Sequence, residues 1–312
     1  MNKSIKKCRS YLESRSGQKT LTCYAILAPQ ILGFFVFTLY PMLWAASRAF
    51  FFYNGTPSQT HFVGLQNFIR IFTEDTAYWK TWLNTLIFTF GKLPLELPLA
   101  MILALLLHGK VKGSGFYRTV YYLPCVISGA IIGVMFSNLF DYFGFINAWL
   151  VKLGFAQEPI DWFANYNTAL TALVLGATWN TFGTNVLYFM AAMANIPEDM
   201  YESAKLDGAS GWTTFWKITL PLMAPVLQTI LLLSINGTLH VGEFILVTTN
   251  GAPGGSTYTV MAYLVGKFVP GFADVDVNIG YGCAMSLLTS ILMIFIALGY
   301  MKMSKKMAES QW

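Results

Sequence analysis

Six apolar runs alternate along the chain with polar stretches, at roughly 24–47, 82–107, 119–140, 168–194, 223–247 and 281–301. About 20 apolar helical residues cross the hydrocarbon core of a bilayer, so the pattern predicts six transmembrane helices. A further apolar stretch, 258–270, is too short to cross and is expected to form an amphipathic helix resting at the interface. Pro94 and Pro98 interrupt the second run and predict a bend there. The fold class expected is an all-α membrane protein, a six-span helical bundle. A basic segment 1–20 precedes the span domain 21–303, and a short tail 304–312 follows it. The longest stretches between spans are about 50–81, 141–167 and 248–280, and the last opens on the dense turn signal Asn250-Gly251-Ala252-Pro253-Gly254-Gly255-Ser256. Trp79 and Trp82 are expected at the headgroup layer. There is no internal repeat and no soluble domain.

Composition agrees with this pattern. The chain is 55% hydrophobic and 11% charged, against about 25% charged in soluble proteins. The first run is too long for the core of a signal peptide and is expected to be retained. Fourteen lysines and arginines fall before the first span, around 110–118, within 195–222 and after 301; Arg48, Arg70, Lys80, Lys152 and Lys267 fall on the other side, and Lys92 lies within a span. Positive charge marks the cytoplasmic side, so both termini and the 195–222 loop are expected there. The net charge of +5 follows from this bias. No basic stripe with interleaved aromatics suggests nucleic acid. Cys8, Cys23, Cys125 and Cys283 have neither disulfide nor metal spacing and read as small apolar residues.

The polar stretch 195–222 carries the densest signal. It holds Glu202-Ser203-Ala204, then Leu206, Asp207 and Gly208, then Ile218, Leu220 and Pro221. The residues predict a short helix, a glycine turn and a second helix that stops at Pro221 as a span begins. Glu202 is expected near a helix N-terminus, where the dipole favours an acid. Leu206, Trp212, Phe215 and Trp216 are candidate apolar anchors for a partner's groove. Gly91-Lys92, Gly109-Lys110 and Gly266-Lys267 lack the remainder of a phosphate-binding loop, so the chain is expected to hydrolyse no ATP and to use no cofactor of its own. His61, His108 and His240 are isolated, and no nucleophile elbow or zinc spacing is present.

This loop resembles the ATPase-docking "EAA" loop of ABC-importer permeases. The resemblance extends over nearly the whole chain. It includes Ala28-Pro29, Leu39-Tyr40-Pro41, Val63-Gly64-Leu65-Gln66-Asn67-Phe68, Leu83-Asn84-Thr85-Leu86, Leu123-Pro124, Trp179 with Gly183, Ile196-Pro197-Glu198 and Leu246-Val247-Thr248-Thr249-Asn250-Gly251-Ala252-Pro253. The first-span and Val63-Gly64-Leu65 features look like the first of two maltose-type sugar permeases. Ser203 stands where the family usually has alanine, and Gly242-Glu243 where it more often has an aromatic and an aspartate. The resemblance implies a permease subunit of a binding-protein-dependent sugar importer in a bacterial or archaeal cytoplasmic membrane. It implies a second homologous permease, a cytoplasmic ATP-binding subunit dimer and an external or periplasmic sugar-binding protein as partners. ATP binding would close the ATPase dimer, and the 195–222 loop would transmit that closure to the spans.

Polar residues within the apolar runs are the candidate transport path. Asn236, His240 and Glu243 are spaced i, i+4, i+7 and would share one face of a helical fifth span. Trp179, Asn180 and Tyr188 offer a mixed aromatic and amide face in the fourth. Such groups line a sugar path or act as interhelical hydrogen-bonding groups. Lys92 and Glu96, i and i+4 in the second run, read as an internal ion pair, with a proton relay as the alternative. A proton-coupled secondary carrier using Lys92, Glu96 and Glu243 is the rival class, but such carriers often show repeats and need no docking loop. Another small polar solute is the rival within ABC permeases. The fourth and fifth runs contain no lysine or arginine, which favours a neutral substrate.

Overall fold

The computed structural model describes residues 15–109, 112–269 and 278–309. Residues 1–14 and 310–312, with parts of the expected terminal segments, lie outside the described residues. The chain clusters into two compact units, Met1–Ile69 with Asn278–Leu287, and Arg70–Val277 with Leu288–Trp312.

In the first unit, helix α1 (Arg15–Phe34) runs through a π-helical turn, Phe35–Leu39, into α2 (Tyr40–Arg48). The turn has a physical cause. Proline at 41 has no N–H and its ring crowds the carbonyl four residues back; the wider turn relieves this, and the Tyr40 N–H donates five residues back to Phe35. The stretch Thr22–Arg48 is long and apolar enough to cross a membrane, and none of its most apolar window is buried. Strands β1 (Phe51–Phe52) and β2 (His61–Phe62) pair antiparallel. The buried Asn67 amide donates to Ala49 O and Phe51 O, closing this corner. Asn67 lies on helix α3 (Gln66–Thr73).

The second unit is built on α4 (Thr76–Leu107) and α8 (Tyr166–Ala194), which pack along each other. Asp75 caps α4 by accepting from the Tyr78 N–H at 2.9 Å. Between them the chain forms α5 (Ser114–Val126), α6 (Gly129–Leu139) and α7 (Phe145–Lys152). The single span expected over 119–140 is instead broken: α5 and α6 meet at 94°. Ile127 and Ser128 are extended, Ser128 caps α6, and the carbonyl of Pro124 accepts from Asn180 Nδ2 of α8 at 2.8 Å. The apolar run hid this break because apolarity continues across it. Gly183 sets the α5–α8 approach: a Cβ there would lie 2.4 Å from Tyr121 O, so only hydrogen fits.

After α8 come α9 (Glu198–Leu206), α10 (Gly211–Thr214), a π-helical turn Phe215–Thr219 and α11 (Leu220–Leu239). The last three are one helix, Gly211–Leu239. The expected stop at Pro221 does not occur. The π turn before Leu220-Pro221 accommodates the proline as its counterpart does before Tyr40-Pro41, the Leu220 N–H donating to Phe215 O. The fifth span expected to 247 ends early, at Leu239. Gly242, where a Cβ would lie 3.2 Å from Met261, separates it from α12 (Glu243–Thr249). Helix α13 (Val260–Phe268) replaces the interfacial helix expected at 258–270. Val260, Ala262, Tyr263 and Leu264 are buried, and α13 packs on α4 and α12 and does not rest on the surface; position 270 lies outside the described residues. Helix α14 (Ile279–Glu309) is the last described element.

Among the described residues, four helices are long and apolar enough to cross a membrane, five if the bent α5–α6 pair counts as one. Helix α8 has 29 residues, a length of about 43 Å, but Asn180, Thr181, Thr184 and Asn185 keep it below that apolarity. Much of its surface is buried, and Asn180, Thr181 and Asn185 find hydrogen-bond partners there. Apolar side chains from α4, α8 and α11, among them Ala104, Phe189, Met193, Met223 and Ile230, form one core. Phe88, Phe136, Leu173, Phe244 and Ile245 centre a second, where α4 and α8 meet α6 and α12.

Candidate functional site

The stretch 195–222 folds as a helix, a turn and a helix. Glu198 and Asp199, not Glu202, occupy the first turn of α9 and face its positive end. Glu202 stands one turn on, exposed, with Ser203 exposed beside it and Ala204 buried against the bundle. The C-terminus of α9 closes by two backbone bonds: Gly208 N–H to Lys205 O at 3.1 Å and Ala209 N–H to Ala204 O at 2.9 Å. This nested pair requires a left-handed residue after the cap, and Gly208 supplies it at φ +73°. Ser210 then caps the following helix, accepting from the Thr213 N–H at 3.2 Å.

The loop is bound to the bundle on one side and bare on the other. Tyr201 and Thr219 share a hydroxyl contact of 3.3 Å across the hairpin. Phe215 and Leu220 are half-buried and pack on the α4–α8–α11 core, and Ile218 is half-buried too. Phe215 is therefore a root of the loop and not a free anchor. Leu206 is 89% exposed, Trp212 72% and Trp216 51%. Asp207 and Pro221 are also exposed. The hairpin thus presents an exposed apolar and acidic face and is continuous with the 29-residue helix Gly211–Leu239.

A polar network lies within the bundle. Lys92 Nζ meets Glu96 Oε2 at 2.6 Å, both side chains almost fully buried. The other carboxylate oxygen, Oε1, accepts from Thr181 Oγ1 at 2.5 Å and Asn185 Nδ2 at 3.0 Å. Asn185 Oδ1 in turn accepts from Ser234 at 3.2 Å, and Lys92 reaches Thr238 at 3.5 Å. One charged pair thus joins α4, α8 and α11. The ion pair was legible from its spacing; its four uncharged partners were missed. Their signal is the same: Thr181 with Asn185, and Ser234 with Thr238, are also i, i+4 pairs in apolar surroundings.

The candidate path residues do not share one wall. Asn180 is committed to Pro124 O. Trp179 lies on α8 with its ring 5.8 Å from that of Phe136, partly exposed like Tyr188. Asn236 and His240 are exposed at the end of α11, where the Asn236 carbonyl accepts the His240 N–H and contacts its Nδ1 at 2.8 Å. Glu243 is exposed too, but opens α12. The helical face expected for Asn236, His240 and Glu243 is broken, because the chain turns at Val241 and Gly242.

A family model described as the binding-protein-dependent transport system inner membrane component matches residues 78–308. The chain is 32% identical over 256 residues to the lactose transport system permease protein LacF of Rhizobium radiobacter, covering 80% of this chain and 85% of that protein. It is 33% identical over 285 residues to the arabinooligosaccharides transport system permease protein AraP of Bacillus subtilis, with coverage of 90% and 88%. Against the trehalose/maltose transport system permease protein MalF of Thermococcus litoralis it is 29% identical over 310 residues, covering 98% and 99%. Its fold is similar to a chain of a bacterial ABC transporter involved in the import of the acidic polysaccharide alginate. The TM-score is 0.79 at 22% identity, covering 93% of this chain and 96% of that one. A second structure of an alginate ABC transporter, in complex with an alginate pentasaccharide-bound periplasmic protein, gives a TM-score of 0.78 at 23% identity.

Proposed function

The chain belongs to the family of binding-protein-dependent transport system inner membrane components, and from that premise we propose that its cargo is a sugar or oligosaccharide and that residues 195–222 are the element coupling it to ATP. It is the permease subunit of an ABC importer, a multi-pass inner-membrane protein and not an enzyme; ATP hydrolysis belongs to a separate subunit. The sugar reading is supported by relatives whose names specify lactose, arabinooligosaccharides and trehalose or maltose.

The observation that carries the coupling reading is the Gly208-closed hairpin, bare on one face and continuous with a long apolar helix on the other. In this reading a cytoplasmic ATPase dimer grips Glu202, Ser203, Leu206, Asp207, Trp212 and Trp216. Ala204, Gly208, Ile218, Leu220 and Pro221 hold the hairpin's form and pass its motion to α11. A second permease completes the path. The spans are six, with α8 as the polar-cored fourth and α5–α6 as a broken third, and both termini are cytoplasmic. Trp179, Tyr188, Asn236, His240 and Glu243 are the exposed groups available to sugar, while Asn180 positions the helix break beside them.

Reconstitution tests this proposal. The chain, its second permease, the ATPase and the external binding protein are assembled in proteoliposomes, and uptake of labelled sugars is measured with and without internal ATP. The expected result is uptake that requires ATP and all four components. Uptake driven by a proton gradient without the ATPase would establish the secondary-carrier reading instead.

A further inference from the structure

A cavity of about 640 Å³ lies within the second unit, away from both the hairpin and the polar network. Its volume is within the range of about 300–1,000 Å³ typical of small-molecule sites. The first turns of α4 form one wall, the start of α8 another, and the 254–258 loop with α13 the rest. The loop is pinned in place by Asn84 of α4, whose amide donates to the carbonyls of Ser256 and Tyr258. The other side of that amide accepts from the Tyr166 hydroxyl at 3.4 Å. Tyr258 is held in turn by its hydroxyl bond to Asn250 Oδ1 at 3.0 Å. The walls are thus fixed by bonds that leave certain donors unspent.

Those donors are of one kind. Lys80 and Lys267 both line the cavity and are exposed, and among the described residues neither ammonium has a hydrogen-bond or ion-pair partner. The hydroxyl of Ser256 is buried and, among the described residues, has no hydrogen-bond partner, which is unfavourable for a buried polar group. The nearby carboxylate of Asp75 is engaged by the Tyr78 N–H and, at 3.4 Å, by the Tyr263 hydroxyl. Two ammonium groups and an orphaned hydroxyl around a tyrosine-walled cavity are complementary to an oxyanion on a polar molecule. We propose that this cavity binds a small anionic ligand, its carboxylate or phosphate held by Lys80, Lys267 and Ser256 and its polar body set against Tyr166 and Tyr258. Such a group comes either from a soluble acidic sugar or from a phospholipid headgroup. The site is separate from the neutral-sugar path proposed above and does not depend on it.

The test uses the purified full-length chain in nanodiscs. Trigalacturonate is the soluble anionic probe, maltotriose the neutral control, and phosphatidylglycerol against phosphatidylcholine the lipid comparison. Trigalacturonate is expected to bind while maltotriose does not, and binding weakens as salt rises. Lys80→Gln and Lys267→Gln should each weaken it about tenfold, a loss of about 1.4 kcal/mol. Ser256→Ala should weaken binding as well, while leaving the thermal midpoint of the free protein unchanged or raised. If a headgroup is the natural ligand, phosphatidylglycerol nanodiscs compete with trigalacturonate, and the lysine substitutions abolish that competition. The proposal is overturned if neither probe binds or if binding ignores both lysine substitutions. Failure of ATP-driven sugar uptake would leave this binding result standing, so the two proposals fail separately.

Discussion

Removing Lys92 while keeping Glu96 should destabilise the bundle far more than removing both. In the intact protein the Glu96 carboxylate is 1% exposed and Lys92 is 3% exposed, with 2.6 Å between their charged atoms. Lys92→Met keeps most of the side-chain volume but leaves one carboxylate oxygen without its cation. The other oxygen retains Thr181 and Asn185. Breaking a buried pair from one side costs about 3–5 kcal/mol. Glu96→Met strands the ammonium with only the distant Thr238 hydroxyl and should cost a similar amount. In the double variant no charge remains. Thr181 keeps its bond to Ala177 O at 3.0 Å and Asn185 keeps Ser234. The loss there is about two hydrogen bonds, roughly 1–3 kcal/mol. The double-mutant cycle should therefore return a coupling of about 3 kcal/mol or more. Denaturant unfolding of the purified chain in mixed micelles measures it. A double variant as unstable as the two singles combined would refute the argument, since the pair would then contribute nothing as a pair.

Single alanine variants of Tyr188, Asn236 and His240 should lower sugar uptake partially and leave assembly intact, because each hydrogen bond is worth only about 0.5–1.5 kcal/mol; normal uptake in all three would show that these exposed groups do not line the path. Asn180→Ala should behave differently and reduce the folded yield, since it frees the Pro124 carbonyl at the α5–α6 break; thermal unfolding of the purified variant checks this, and an unchanged midpoint contradicts it. In a background lacking the four native cysteines, Thr60→Cys should react with an impermeant reagent in intact cells and Trp312→Cys should not; the reverse labelling would place the hairpin outside and end the coupling argument.

The hairpin was readable because its turn rests on backbone geometry that only a few residues satisfy. Gly208 was identified as a turn, and it closes α9 at φ +73°. Glycine's freedom, not the surrounding tertiary structure, determines that geometry. The Lys92–Glu96 pair was readable for a related reason: two charges in an apolar run must answer each other. The breaks were harder. Hydrophobicity reports burial and not direction, so the apolar run itself does not show the 94° bend at Ile127-Ser128, whose local signals are Pro124 and Ser128-Gly129. Proline misled in the opposite sense. Pro221 looked like a terminus, yet a π-helical turn five residues long carries the helix past it. Gly242 was visible in the sequence, but the separation of Asn236 and His240 from Glu243 depends on the close packing of that glycine on Met261. Single-chain patterns do not encode such a contact.

The coupling role of the hairpin is tested most directly at Gly208. Its Cβ position is sterically open, so substitution acts through the backbone alone. A left-handed conformation costs an ordinary L-residue about 1–2 kcal/mol, and a β-branched one is an outlier there. Gly208→Val should therefore distort the α9–α10 turn while the spans still insert. The measurement is sugar uptake together with binding-protein-stimulated ATPase activity, both in proteoliposomes holding the complete transporter. The account predicts that both are lost in Gly208→Val at normal membrane levels of the chain, with Gly208→Ala intermediate. Uptake and stimulation at the wild-type level in Gly208→Val would contradict it.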